Sequence, residues 1–271
     1  MMYNLIQQAP MSLSLFLPGR AVGFTIIALS FLITLFYLWT KQNVPIRLLP
    51  QVEAMKEAVG RCAEMGRPLV YTYGNPTQGM DYWTVAGLNL LRYTAEEAAK
   101  LGVQVVIPLS ATPKALITHA VVKDIMKNTF VAAGTEEMYN EANFRLTGTD
   151  DSTWGLAITR ILYEVRPAAH FWLGFVPFST VIFGEVCRDI GQCIAIGSSF
   201  YLSQIAFTVI SSDYTFIAQD LIAASAYVTK DPAQGGFLRN IDIIVLIMVG
   251  VITLASILLT AGINIVPWMS V

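Results

Sequence analysis

Two charge-free apolar runs, "AVGFTIIALSFLITLFYLW" (21–39) and "IIVLIMVGVITLASILLTAGI" (243–263), bracket this chain and limit what it can become. Each is long enough to cross about 30 Å of hydrocarbon as a helix. The chain is 55% hydrophobic and 13% charged, where soluble domains carry about 25% charged residues. A lipid bilayer is therefore its first expected partner. The expected division is a short N-terminus (1–20), a span (21–40), a folded domain (41–241), a second span (242–265) and a tail (266–271).

Charge gives these segments a direction. Lys41 and Arg47 follow the first run, Lys230 and Arg239 precede the second, and no basic residue follows it. Basic residues mark the cytoplasmic side of a membrane. The pattern predicts a multi-pass cell-membrane protein with its main domain cytoplasmic and both termini outside. Only Arg20 lies close before the first run, unlike the charged start of a cleaved signal peptide, so an uncleaved anchor is expected. Tyr37, Trp39 and Trp268 suit the interfacial aromatic belt.

Residues 41–241 carry the grammar of an α/β domain. Arg47–Glu64 places Val52, Met55, Val59 and Cys62 at helical spacing, and Gly66 can stop that helix. Short apolar runs then alternate with helical stretches. Strands are expected at 68–74, 103–110, 129–134, 143–148, 170–176, 193–199 and 206–212. Helices are expected at 81–101, from Thr112-Pro113 to about Lys127, from Asp150 or Asp151 to about Val165, ending at Ile190, and from Asp213 or Thr215 to about Val228. Such alternation predicts a mostly parallel, Rossmann-like sheet wrapped by helices and flanked by one transmembrane helix at each end.

The competing architecture has four transmembrane helices and a smaller α/β domain. In it, 167–184 and 191–212 form a membrane hairpin with "EVCRD" as its turn. Glu185, Arg188 and Asp189 oppose this, because charges near mid-membrane cost about 2.5–3.5 kcal/mol each. So do Gln192, Ser198, Ser199, Ser203 and Gln204 in the second arm. The same three charges have helical spacing, which predicts a wet helix face ending at Gly191.

"LPQVEAMKEAVGRCAEMGRPLVYTYG" (49–74) and "SSDYTFIAQDLIAASAYVTKDP" (211–232) resemble an uncharacterised domain-of-unknown-function family of prokaryotic membrane-anchored proteins. The likeness covers most of 49–232 and implies a Rossmann-like cytoplasmic domain. Members carry two consecutive carboxylates where this chain has Gln219-Asp220, which weakens a paired-acid site here. The family implies no activity.

Candidate chemistry is sparse. In an open parallel sheet the carboxyl ends of the strands form the ligand crevice, which nominates Gly74, Asn75, Ser110, Gly134, Ser198, Ser199, Ser212 and Asp213 as ligand-binding residues. The loop 73–87 is neither a GxGxxG nor a P-loop, and no GxSxG elbow occurs. No catalytic residue is assigned and no cofactor is expected. Cys62, Cys187 and Cys193 lack metal-site spacing, and only two histidines are present, so no metal is expected and the thiols read as reduced and buried. A net charge of −2 without a basic cluster argues against nucleic acid. With no assembled catalytic signature, the expected function is non-enzymatic. The domain is read as an oligomeric scaffold, or a docking subunit for other membrane or cytoplasmic proteins. The alternative is a small-molecule or nucleotide sensor or enzyme using the crevice. A transporter or channel would need the four-helix topology.

Overall fold

The computed structural model describes residues 18–40, 46–75, 79–176 and 179–262. Lys41, Trp268, loop residues 76–78 and the extreme termini lie outside that set. Contacts divide the chain into Pro45–Gly235 and a second unit of 1–44 with 236–271.

The second unit contains α1 (Pro18–Thr40) and most of α9 (Pro232–Thr260), both long and apolar enough to cross a bilayer. Their contact is polar at one point. Asn240 of α9 donates to Ser30 Oγ (2.7 Å) and Thr34 Oγ1 (3.1 Å), two residues one turn apart on α1. A small residue, Gly236, lets α9 approach the Tyr37 side chain. Small residues and hydroxyl partners are how apolar helices associate where no hydrophobic drive exists between them.

The larger unit is an α/β domain. It runs α2 (Pro50–Met65), β1 (Leu69–Gly74), α3 (Tyr82–Leu101), β2 (Val105–Leu109), α4 (Leu116–Ala132), β3 (Phe144–Leu146), α5 (Asp151–Val165), β4 (Ala169–Phe175), α6 (Thr180–Ile190), β5 (Ile194–Ser199), α7 (Leu202–Ser211), β6 (Tyr214–Ile217) and α8 (Asp220–Thr229). The six strands pair parallel in the order β3-β2-β1-β4-β5-β6. This is the strand order of doubly wound sheets, in which the crossovers reverse direction between β1 and β4. Helix α3 packs with α2, α4 and α8 on one face, and α6 packs with α5 and α7 on the other.

Local chemistry sets the boundaries. Asp81 caps α3 by accepting from the Thr84 amide (2.7 Å), and Asp150 forms a capping box with Thr153 at α5. Gly66 and Gly102 end α2 and α3 in the left-handed conformation, and Gly191 stops α6. At the amino ends of the central strands, Arg67 donates to the carbonyls of Arg166 (2.7 Å), Pro167 (3.1 Å) and Gly191 (3.4 Å). One guanidinium thereby ties together the turns that lead into β4 and β5.

Two expected strands are helical. Residues 129–132 continue α4, because Val122, Met126, Thr129 and Phe130 form one buried stripe and nothing breaks the helix before Gly134. Residues 206–211 belong to α7; the strand that follows is β6, and the last domain helix starts at Asp220 instead of Asp213 or Thr215. The segment 180–211 therefore enters the sheet as α6, β5 and α7, and a membrane hairpin is not formed.

Backbones also pack closely at the β1–β4 junction. Gly174 has φ +134°, and a Cβ there would collide with the Tyr73 carbonyl; a Cβ on Gly87 of α3 would collide with the Leu173 carbonyl. Gly174→Ala and Gly87→Val are each expected to cost at least about 3 kcal/mol in denaturant melts. Gly60→Ala, which adds a methyl to open space in α2, is expected to stabilise by about 0.5–1 kcal/mol.

Candidate functional site

Parallel sheets bind ligands outside the strand carboxyl ends, at the point where the crossovers diverge. Here that point is the end of β1 and β4. The pairing bulges after Thr72, so that Gly74 sits opposite Phe175, and the Asn75 amide donates to the Phe175 carbonyl (2.6 Å). Asn75 is fully buried. Its Oδ1 accepts from Ser110 Oγ (3.2 Å) at the end of β2, and Ser110 Oγ also meets Thr112 Oγ1 (3.2 Å). His119 Nε2 donates to the Ser110 carbonyl (2.7 Å); burial lowers the pKa of this imidazole and that bond partly offsets the shift.

Across the junction, Ser198 of β5 receives the Gly174 amide (2.9 Å) and can return its proton to the Gly174 carbonyl (3.0 Å). It holds the β4 bulge in place. The neighbouring Ser199 Oγ and Asn75 Nδ2 are buried without a hydrogen-bond partner among the described residues, and the Tyr73 hydroxyl lies near the Ser110 backbone. Burial also pushes the Tyr73 phenol up, so it stays protonated as a donor.

Aromatic side chains gather at the same strand ends. Trp83 at the start of α3 stacks on Phe200 at 4.7 Å and 14°, and Phe175 meets Phe200 (5.3 Å) and Tyr201 (5.7 Å). A dinucleotide fold would seat a pyrophosphate at the first helix's N-terminus, here that of α3. In this chain the Asp81 carboxylate already holds an amide there, and its charge opposes an anion.

Of the eight nominated residues, the structure gathers Gly74, Asn75, Ser110, Ser198 and Ser199 at this edge. The other three lie at the opposite edge. Gly134 follows α4 on its way to the amino end of β3, with φ +73°. Ser212 closes α7 by donating to the Thr208 carbonyl (2.7 Å). Asp213 Oδ2 accepts from the Ala195 amide (2.8 Å), joining the starts of β5 and β6. Their nomination rested on the two misassigned strands. The aromatic cluster escaped notice because its members are scattered over α3, β4 and the β5–α7 turn.

A second polar cluster is hidden beneath α6. His170 of β4 is fully buried; its Nε2 lies 3.3 Å from Thr72 Oγ1 and its Nδ1 3.9 Å from Cys187 Sγ. Cys193 Sγ lies 3.3 Å from Cys187 Sγ. Among the described residues, no group of three or more His, Cys, Asp and Glu is placed to hold a metal ion. Burial lowers the His170 pKa to about 3. The unfolded chain takes up this proton near 6.5 and the folded chain only near 3, so stability is full above about pH 6.5 and declines as pH falls toward 3. His170 is expected to account for about 2 kcal/mol of destabilisation between pH 7 and pH 5. That increment is expected to vanish in His170→Gln when the two proteins are melted at both pH values.

No curated protein and no solved structure matches the chain significantly. One family model does match, over residues 15–269, and its description is a domain of unknown function, DUF6754. The chain belongs to that family.

Proposed function

We propose that this protein is a membrane-anchored docking module whose α/β domain associates with a second copy of itself through α7. The carrying observation is that α7 is inside out. Its buried positions are Gln204, Thr208 and Ser211, whereas Leu202 (89% exposed), Phe207, Val209 and Ile210 (69% exposed) face outward with no charged residue between them. Val181 and Ile182 of α6 extend the apolar surface, and Glu185 and Arg188 add charge on the same helix. An apolar centre with a polar rim is the anatomy of a protein interface. A helix that rests on lipid headgroups carries Lys or Arg on its polar side; α7 has neither. A protein partner therefore suits it better.

Anchoring by α1 and α9 is the companion proposal, with the domain on the cytoplasmic side. It rests on their length, their exposed apolar surfaces and the Asn240–Ser30–Thr34 contact between them. Two anchors would confine copies to a plane and raise their local concentration, so a modest interface would suffice for association.

The test is oligomeric state. Full-length protein in mild detergent is expected to sediment as a dimer or higher oligomer, and Phe207→Glu with Ile210→Lys is expected to release monomers that keep the wild-type circular dichroism. Monomers at every wild-type concentration would refute self-docking.

A second reading is supported by the unpartnered polar atoms of Asn75 and Ser199. On this reading a small uncharged ligand hydrogen-bonds at the β1–β4 crevice. A broad metabolite screen is expected to find a compound that raises the melting temperature of wild-type protein and not of Asn75→Leu; the absence of any such compound would count against it.

A further inference from the structure

We infer that Cys193 and Cys187 form a thiol pair oxidised by small peroxides, with Cys193 as the reacting sulfur and Cys187 as the resolving one. The geometry begins with the chain turn. Cys187 lies in the last turns of α6, Gly191 stops the helix, and Gln192 takes a left-handed φ of +56°, rare for a residue with a side chain. That turn brings Cys193 back toward α6, with its sulfur 3.3 Å from Cys187 Sγ. A disulfide requires about 2.05 Å, so closure needs movement of little more than about 1 Å.

The two sulfurs are not equivalent. Both border an open cavity of about 380 Å3 at the amino ends of β5 and β6, also lined by Glu57, Arg61, Arg188 and Asp213, but Cys193 is half-buried there while Cys187 is buried. A small oxidant reaches the more exposed Cys193 sulfur first. Cys187 is buried, and its other neighbour is His170 Nδ1 at 3.9 Å. The third thiol, Cys62, lies on the buried face of α2, and burial pushes its pKa up to about 12. It is the internal control.

The chemistry balances with a peroxide as electron acceptor. The Cys193 thiolate attacks one peroxide oxygen, the O–O bond breaks, and hydroxide leaves and is protonated to water, giving a sulfenic acid on Cys193. The Cys187 thiol then attacks the Cys193 sulfur: the S–OH bond breaks, the S–S bond forms, and the departing hydroxide takes the Cys187 proton and leaves as a second water. Two thiols are oxidised and one peroxide is reduced. A dithiol reverses the change.

The test uses full-length protein in detergent with one equivalent of hydrogen peroxide. Free thiol is expected to fall from three to one per chain, peptide mapping to show a Cys187–Cys193 disulfide, and dithiothreitol to restore all three thiols. In Cys187→Ser a cyclic 1,3-diketone is expected to trap a sulfenic acid at Cys193, and in Cys193→Ser peroxide consumption is expected to be lost. The inference is overturned if the wild-type protein keeps all three thiols, if the disulfide formed includes Cys62, or if Cys193 proceeds to sulfinic acid while Cys187 stays free. The wild-type measurement stands even if either variant fails to fold.

Discussion

Everything in the domain is arranged around the closeness of two backbones, those of β1 and β4. Gly174 carries a φ that side chains avoid and lies against the Tyr73 carbonyl, Gly74 lies against Phe175, and Gly87 brings α3 down onto the Leu173 carbonyl. Three missing side chains let a helix and two strands meet where the crossovers diverge. Around this point the sheet grows outward in both directions, from strands buried on both faces to the short edges β3 and β6. The bulge that results needs a hydroxyl, and Ser198 supplies it. Packing at the junction and polarity at the crevice are thus one constraint.

Most of this order could be read from the residues because it obeys period and punctuation. Buried parallel strands read as short apolar runs, and 69–74, 105–109, 169–175 and 194–199 do so. Asp81, Asp150, Gly66 and Gly191 mark helix ends by types that do so for plain hydrogen-bonding and steric reasons. The charges of Glu185, Arg188 and Asp189 belong to a helix in a folded domain, as their spacing implied. The errors have a cause as definite as the successes. In α7 the polar residues face inward, so "AFTVISS" offers a β-branched apolar run and conceals its helical period. In α4 the run "TFVAAG" has strand-like composition, but the stripe from Val122 through Phe130 fixes the outcome.

Contacts between residues far apart in sequence were not legible. No spacing rule joins Asn75 to Ser110, Trp83 to Phe200 or His170 to Cys187. Of the proposed crevice, the strand-end glycines and serines were visible as types, while the aromatic cluster beside them was not. The inversion of α7 is similar. Its strand-like composition hides a helix that turns Gln204, Thr208 and Ser211 to the core and Leu202, Phe207 and Ile210 outward.

The central claim is that residues 45–235 form one cooperative α/β domain, with α6, β5 and α7 as integral parts of it. Hydrogen exchange read by mass spectrometry, on full-length protein in detergent and again in lipid nanodiscs, tests it directly. Amides of β1 and β4 are expected to exchange most slowly in the domain. Peptides covering 180–211 are expected to exchange through the same global opening, at rates that lipid leaves unchanged. Protection of 180–211 that appears only in lipid, independent of β1 and β4, would contradict the fold and restore a membrane hairpin.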